Sequence, residues 1–105
     1  MKIRSKKIRD AARLEECTLN IAGVCNYDPA TTVFAHFSPE GGIMGSKPDD
    51  ISGCFACSSC HDEIDGRTTT SDMEDSDDYF YKLRGVLRTL KRLVEMDVIK
   101  IKGMK

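Results

Sequence analysis

The chain has 105 residues, 40% hydrophobic and 31% charged, with a net charge of -1. That length suits one domain with a thin core, and no apolar run approaches the ~18 residues of a membrane span. The start, Met1 to Lys7, lacks the apolar stretch of a secretory signal. These features argue against a membrane protein, a multidomain enzyme and a secreted disulfide knot, and they fit a reducing compartment.

The charges are segregated. Residues 1–13 hold six Lys and Arg against Asp10, and they open a basic stretch, 1–16, that reads as helix around Ile3, Ile8, Ala11, Ala12 and Leu14. Residues 17–30 read as a loop, with Gly23, Asn26, Asp28 and Pro29 between and after two cysteines. Residues 31–37, Thr-Thr-Val-Phe-Ala-His-Phe, are β-branched and aromatic and predict a strand. Residues 38–50 carry Pro39, Gly41, Gly42, Gly45 and Pro48 and predict a long loop. A second short strand is expected over 51–56 and a helix from Ser58 through His61 and Asp65. Residues 38–78 hold eleven Asp and Glu against Lys47 and Arg67, and their end reads as an acidic connector. Asp77 or Asp78 is expected to cap a last helix over about 79–96. On it Phe80, Leu83, Leu87, Leu90 and Val94 form an apolar stripe expected to face the core, while Arg84, Arg88, Lys91 and Arg92 lie on another face. Residues 98–102 are expected to close the fold as a short strand. Basic ends around an acidic middle suit a protein that grips a polyanion, although solvated surface charge reads equally well.

The most specific chemistry lies in Cys57-Ser58-Ser59-Cys60-His61. Two cysteines with two residues between them can direct both thiolates at one tetrahedral Zn²⁺. Cys17 and Cys25 are the obvious source of two more, if Gly23 lets their longer loop fold back. The site would carry a charge of about -2 and would add stability that a small core lacks. A thioredoxin-like redox pair is the competing reading, but it expects a βαβ context and leaves Cys17 and Cys25 unexplained. Cys54 reads as a buried apolar thiol or as a substitute for Cys57. His36 and His61 are the only histidines. A zinc clamp would bring the strand and the helix start together, so that the two could face each other across a small site. Neutral imidazole can accept a proton from water or bind a divalent metal. Asp65, four residues after His61, projects from the same helix face and could share a metal with it.

These residues resemble a known family. Ala35-His36, Pro48-Asp49-Asp50 and the Cys-Ser-Ser-Cys-His run are similar to the HNH, or ββα-metal, nuclease motif. More closely, Cys17, Gly23-Val24-Cys25-Asn26, Ala35-His36, Lys47-Pro48 and Ala56 through Asp65 resemble the YbcO-like nucleases of phages and prophages, over roughly residues 5–67. The resemblance implies an α+β fold: a zinc-stapled ββα-metal finger over 17–67 with flanking N- and C-terminal helices, 68–78 as connector, and 79–105 as helix and terminal strand. It implies His36 as general base, with Asp50, or Asp49 in its place, orienting the loop or base. His61 and Asp65 would hold a catalytic divalent metal, Mg²⁺ or Mn²⁺, beside the structural Zn²⁺ of Cys17, Cys25, Cys57 and Cys60. Arg67 and the basic ends, including Lys6, Lys7 and Arg9, would hold phosphates. The implied activity is hydrolysis of phosphodiester bonds in DNA in the bacterial cytoplasm, with branched or junction DNA among the candidate substrates. A single small site that cuts both strands would favour a homodimer. Many members carry Asp or His as a metal ligand just before the base, where this chain has Ala35. That departure keeps open a non-catalytic zinc module that binds nucleic acid or a recombination partner.

Overall fold

A computed structural model describes residues 2–37, 48–65 and 75–104. Residues 38–47 of the expected 38–50 loop, Arg67 and most of the acidic connector lie outside the described residues. The architecture is α+β: helix α1 (Lys6–Asp10), a 3-10 turn (Pro29–Thr31), strands β1 (Val33–His36) and β2 (Gly53–Ala56), then helices α2 (Ser58–Ile64) and α3 (Asp75–Glu95). Among the described residues no helix is long and apolar enough to cross a membrane.

The N-terminal helix is much shorter than the expected 1–16. Ser5 caps it, its hydroxyl accepting from the Ile8 N–H at 3.3 Å. Residues 3–5 are instead drawn across to the segment before β2. The Ile3 N–H donates to Asp49 Oδ1, and the Asp50 N–H donates to the Ile3 carbonyl, both at 2.9 Å. After Ala11 the chain turns, and Leu14 takes a left-handed φ of +62° that no helix can continue through.

β1 and β2 form an antiparallel pair in the register Val33 with Ala56, Phe34 with Phe55, Ala35 with Cys54 and His36 with Gly53. Alternation along the strands divides the core between the two faces. Ala35, Phe37, Cys54 and Ala56 pack with Leu19, Ile21 and three further buried cysteines, Cys17, Cys57 and Cys60, while partly buried Cys25 lies at the margin. Phe55 packs on the other side with Ile8, Ala12 and Leu93, and Phe34 lies against them. Fully buried Phe55, Leu19, Ile21 and Leu93 each contribute roughly 1.5–3 kcal/mol from burial. Gly53 is required by close approach: a Cβ there would lie 2.3 Å from the Ala35 carbonyl oxygen.

β2 has a free edge, and threonines close it. The Thr18 N–H donates to the Phe55 carbonyl at 2.8 Å, and the Phe55 N–H donates to Thr89 Oγ1 at 3.0 Å. The Thr18 hydroxyl also donates to the Phe55 carbonyl, so it accepts from the Thr89 hydroxyl, 2.9 Å away. Every polar atom of this buried ring is thereby satisfied.

Three expectations for the C-terminal third are corrected. α3 starts at Asp75, so Asp77 and Asp78 lie inside its first turn, where negative charge suits the helix dipole, and neither is its cap. Residues 98–102 form no strand. Asp97 adopts φ +61°, and the N–H groups of Val98 and Ile99 return to the Leu93 carbonyl, closing the helix. The stripe expected in the core faces outward, with Phe80 56%, Leu83 61% and Leu87 58% exposed. Gly85, Thr89 and Leu93 face β2 instead. A Cβ on Gly85 would approach Cys54 Sγ to 3.2 Å, so glycine lets helix and strand meet closely.

Candidate functional site

Two constellations carry the candidate chemistry, and the hairpin positions both. In the first, the sulfurs of Cys17, Cys25, Cys57 and Cys60 all lie within 4.8 Å of one another. Cys57 is the N-cap of α2 and Cys60 sits in its first turn, with the Cys60 N–H donating to Cys57 Sγ at 3.4 Å. The long loop between Cys17 and Cys25 folds back as the sequence required. Gly23 takes φ +75°, and the Val24 and Cys25 N–H groups both donate to the Ile21 carbonyl at 3.0 Å. Asn20, at φ +44°, donates from its backbone to Cys17 Sγ at 3.5 Å and from its side chain to Cys25 Sγ at 3.6 Å. Such donors stabilise thiolate charge.

The four sulfurs could hold a metal ion. Cys57 and Cys25 Sγ are 3.9 Å apart, close to the edge of a tetrahedron with ~2.3 Å metal–sulfur bonds. A hydrogen bond from Cys60 pulls the Cys17 thiol down to about 5. The same bond holds the Cys60 proton on, and burial pushes Cys25 up. The cluster without a cation therefore keeps protons that a metal would displace. Cys54 stands outside this set. Burial pushes its thiol up to about 12, and it packs as an apolar residue rather than replacing Cys57.

Polar side chains missed in the sequence reading brace this cluster. Asn26 Nδ2 donates to Ser58 Oγ at 3.0 Å and to Ser59 Oγ at 3.3 Å, tying the loop after Cys25 to the residues between Cys57 and Cys60. Arg84 Nη2 donates to the Leu19 carbonyl at 2.7 Å, Arg88 Nη1 to Asn20 Oδ1 at 3.0 Å, and Arg92 grips Glu15. The basic face of α3 thus holds the segment that carries Cys17. The arginine spacing of four residues was visible, but the acceptors, mostly backbone and amide oxygens, have no sequence signature.

In the second constellation, Asp50 is fully buried and accepts four polar partners. The Ser5 N–H approaches at 2.6 Å, Arg9 Nη1 at 2.5 Å and Arg4 Nη1 at 3.4 Å. His36 Nε2 lies 2.8 Å from Asp50 Oδ1. Burial by itself would push this carboxyl up, but the bonds from Ser5, His36 and Arg9 outweigh it and hold the pKa at about 2. An ionised carboxylate only accepts, so His36 Nε2 donates to it, and in the neutral ring the lone pair then lies on Nδ1. His36 ends β1, with its ring edge-on to Phe34 at 5.0 Å between centroids. Asp49 has a different task, bonding the Ile3 N–H. Ala35, 1% exposed, faces the apolar side of the strand.

His61 and Asp65 form a separate pair one turn apart on α2, with Nε2 and Oδ2 3.2 Å apart. Both are partly exposed, so imidazole and carboxylate together are open to a shared ligand. Among the described residues no hydrogen bond joins His61 to His36; each histidine has its own carboxylate. Of the residues expected to hold phosphate, Lys6 pairs with Asp10, Lys7 is exposed, and Arg9 is committed to Asp50 through one nitrogen. An open cavity of about 530 Å³ beside Cys17, lined by Glu15, Asn20, Arg88 and Arg92 among others, touches neither histidine. It is the gap between residues 14–20 and α3.

Comparison with known proteins follows the same lines. A family model described as "Putative nuclease YbcO" matches residues 6–98. Proteins named "Putative nuclease YbcO" from Escherichia coli K12 and "Putative nuclease ybcO" from Enterobacteria phage 82 are each 52% identical over 62 residues, which is 58% of this chain and 65% of the relative. The match thus spans slightly less than two thirds of either relative. A solved structure, described as that of a putative bacteriophage protein from E. coli K-12, is 38% identical with a TM-score of 0.71, covering 87% of this chain and all of that one. With a family match over most of its length, the chain belongs to the YbcO family.

Proposed function

We propose that this protein is an endonuclease of phage or prophage origin that hydrolyses phosphodiester bonds in DNA, built on an HNH-like ββα-metal unit stapled by a structural Zn²⁺. The observation that carries the reading is the His36–Asp50 pair. A carboxylate held ionised by Ser5, Arg4 and Arg9 fixes the proton on Nε2. His36 Nδ1 is then the atom that takes a proton from water as that water attacks phosphorus, and the 3′ oxygen leaves. Asp50 positions the ring and stabilises the imidazolium that forms. Arg4 and Arg9 retain donors beside His36 that can hold phosphate oxygens, with Lys6, Lys7 and Arg67 further along the duplex.

Cys17, Cys25, Cys57 and Cys60 would hold the Zn²⁺, as their mutual distances and all-sulfur donor set suit. His61 and Asp65 would hold a divalent metal, Mg²⁺ or Mn²⁺, which when bound neutralises charge on the phosphate and the leaving oxygen. Imidazole beside carboxylate favours Mn²⁺ at least as well as Mg²⁺. The cellular setting is the bacterial cytoplasm. Ala35 favours a second reading, a non-catalytic zinc module that binds nucleic acid, because the position before the base offers no ligand and is buried.

The deciding experiment is cleavage of plasmid, linear, single-stranded and four-way-junction DNA, with Mg²⁺, with Mn²⁺ and without added metal. The expected result is metal-dependent cutting that His36→Ala abolishes while circular dichroism is unchanged. Salt-sensitive binding of DNA with no cutting of any substrate would replace the nuclease by the binding module.

A further inference from the structure

The outward face of α3 points to a function of its own. Phe80, Leu83, Leu87, Leu90 and Val94 recur at alternating intervals of three and four, an average of 3.5 residues. That is the seam of a helix that packs on another helix. The same helix meets its own core through a different row, Gly85, Thr89 and Leu93, at intervals of four. The helix is therefore held rigid from behind while Phe80, Leu83 and Leu87 stay more than half exposed.

We infer that the protein forms a two-fold dimer through this seam. Three large side chains more than half exposed, bordered by Tyr79 at 67% and by half-buried Leu90 and Val94, present apolar surface on the order of 500 Å². That is at the upper end of what a monomer leaves in one patch. With a polar rim it reaches the ~800 Å² that each partner contributes to a stable interface. The five seam residues are themselves uncharged, so the seam can meet a copy of itself, with the Arg84 guanidinium lying 5.2 Å from the centre of the Phe80 ring at one end. Arg84 and Arg88, which flank it, are bonded inward to Leu19 and Asn20. The exposed rim carries both signs, Lys91 and Glu95, one turn apart. The purpose of the pairing, though not the contact, rests on the nuclease reading: a duplex presents two scissile strands, and each chain supplies one His36.

The test is sedimentation equilibrium of the full chain with its metal, beside Leu83→Glu/Leu87→Glu, with circular dichroism and metal content read on both. The wild type is expected at twice the 11.7 kDa chain mass. The double variant should sediment at the single-chain mass, with unchanged spectrum and metal, and self-associate at least ~100-fold more weakly. Leu83→Gln alone, a milder change, should shift the equilibrium in the same direction. A wild type that stays at the single-chain mass over a wide concentration range overturns the inference. So does a folded double variant that remains dimeric. Cleavage is not read in this test, so a failure of the nuclease reading in the separate cleavage assay would leave the pairing standing.

Discussion

Replacing Asp50 by Asn tests the His36 site and the fold together. The carboxyl of Asp50 is depressed from its ordinary 3.8 to about 2. At ~1.4 kcal/mol per unit, its charge stabilises the folded state by about 2 kcal/mol. The folded pKa lies below the unfolded one. The contribution is therefore fully present above about pH 4 and lost as pH falls through about 2. Arg4 and Arg9 are 38% and 40% exposed and can rehydrate, so the loss stays below the ~3–5 kcal/mol of a fully buried broken pair. Urea unfolding of the metal-loaded proteins at pH 7 and pH 5 should show Asp50→Asn less stable by about 2 kcal/mol at both. In cleavage assays the asparagine carbonyl can still accept from His36 Nε2 but cannot stabilise the imidazolium. Turnover should fall by ~10²–10⁴ while KM changes little. A variant within ~0.5 kcal/mol of wild type would refute the electrostatic account of Asp50. Unchanged turnover would refute its role beside His36.

Cys57→Ala should lose bound metal and unfold at lower urea, whereas Cys54→Ala should keep full metal stoichiometry by mass spectrometry, because only the former belongs to the sulfur cluster. Gly53→Ala places a Cβ 2.3 Å from backbone oxygen and should cost at least ~2 kcal/mol in urea unfolding. Thr89→Val leaves the Phe55 N–H without its acceptor and removes the bond that the Thr18 hydroxyl accepts, and should cost ~1–3 kcal/mol, with faster amide exchange at Phe55.

The two ends of the chain show where sequence reasoning stopped. The amphipathic pattern of α3 was plain, but it marked two apolar rows without saying which one meets the core. The small residues Gly85 and Thr89 won the inner face, because a glycine brings the helix within reach of Cys54 and a threonine satisfies the Phe55 N–H. The longer leucine stripe was left outside. At the N-terminus, weak helical periodicity lost to Asp49 and Asp50, which recruit residues 3–5 into an extended pairing. The expected strand at 98–102 gave way to a helix end, because the Val98 and Ile99 N–H groups return to the Leu93 carbonyl, and Thr18 and Thr89 already occupy the outer edge of β2.

What the residues determined by themselves was local or chemically singular. Cysteine spacing and Gly23 specified a four-sulfur cluster, because thiols in such numbers have few uses and a glycine marks where the loop must turn. β-branched and aromatic runs specified the hairpin, and the run from Cys57 to Asp65 specified the helix that carries His61. Tertiary structure alone decided the partners that lie far apart in the chain. It brought Arg4, Arg9 and Ser5 to Asp50, aligned Asp50 with His36, and turned the arginines of α3 inward to the loop of Cys17. Charge and hydrogen-bonding capacity are properties of a residue, but which ones meet across 14 to 65 positions depends on how the core packs. Only the folded chain brings those residues together.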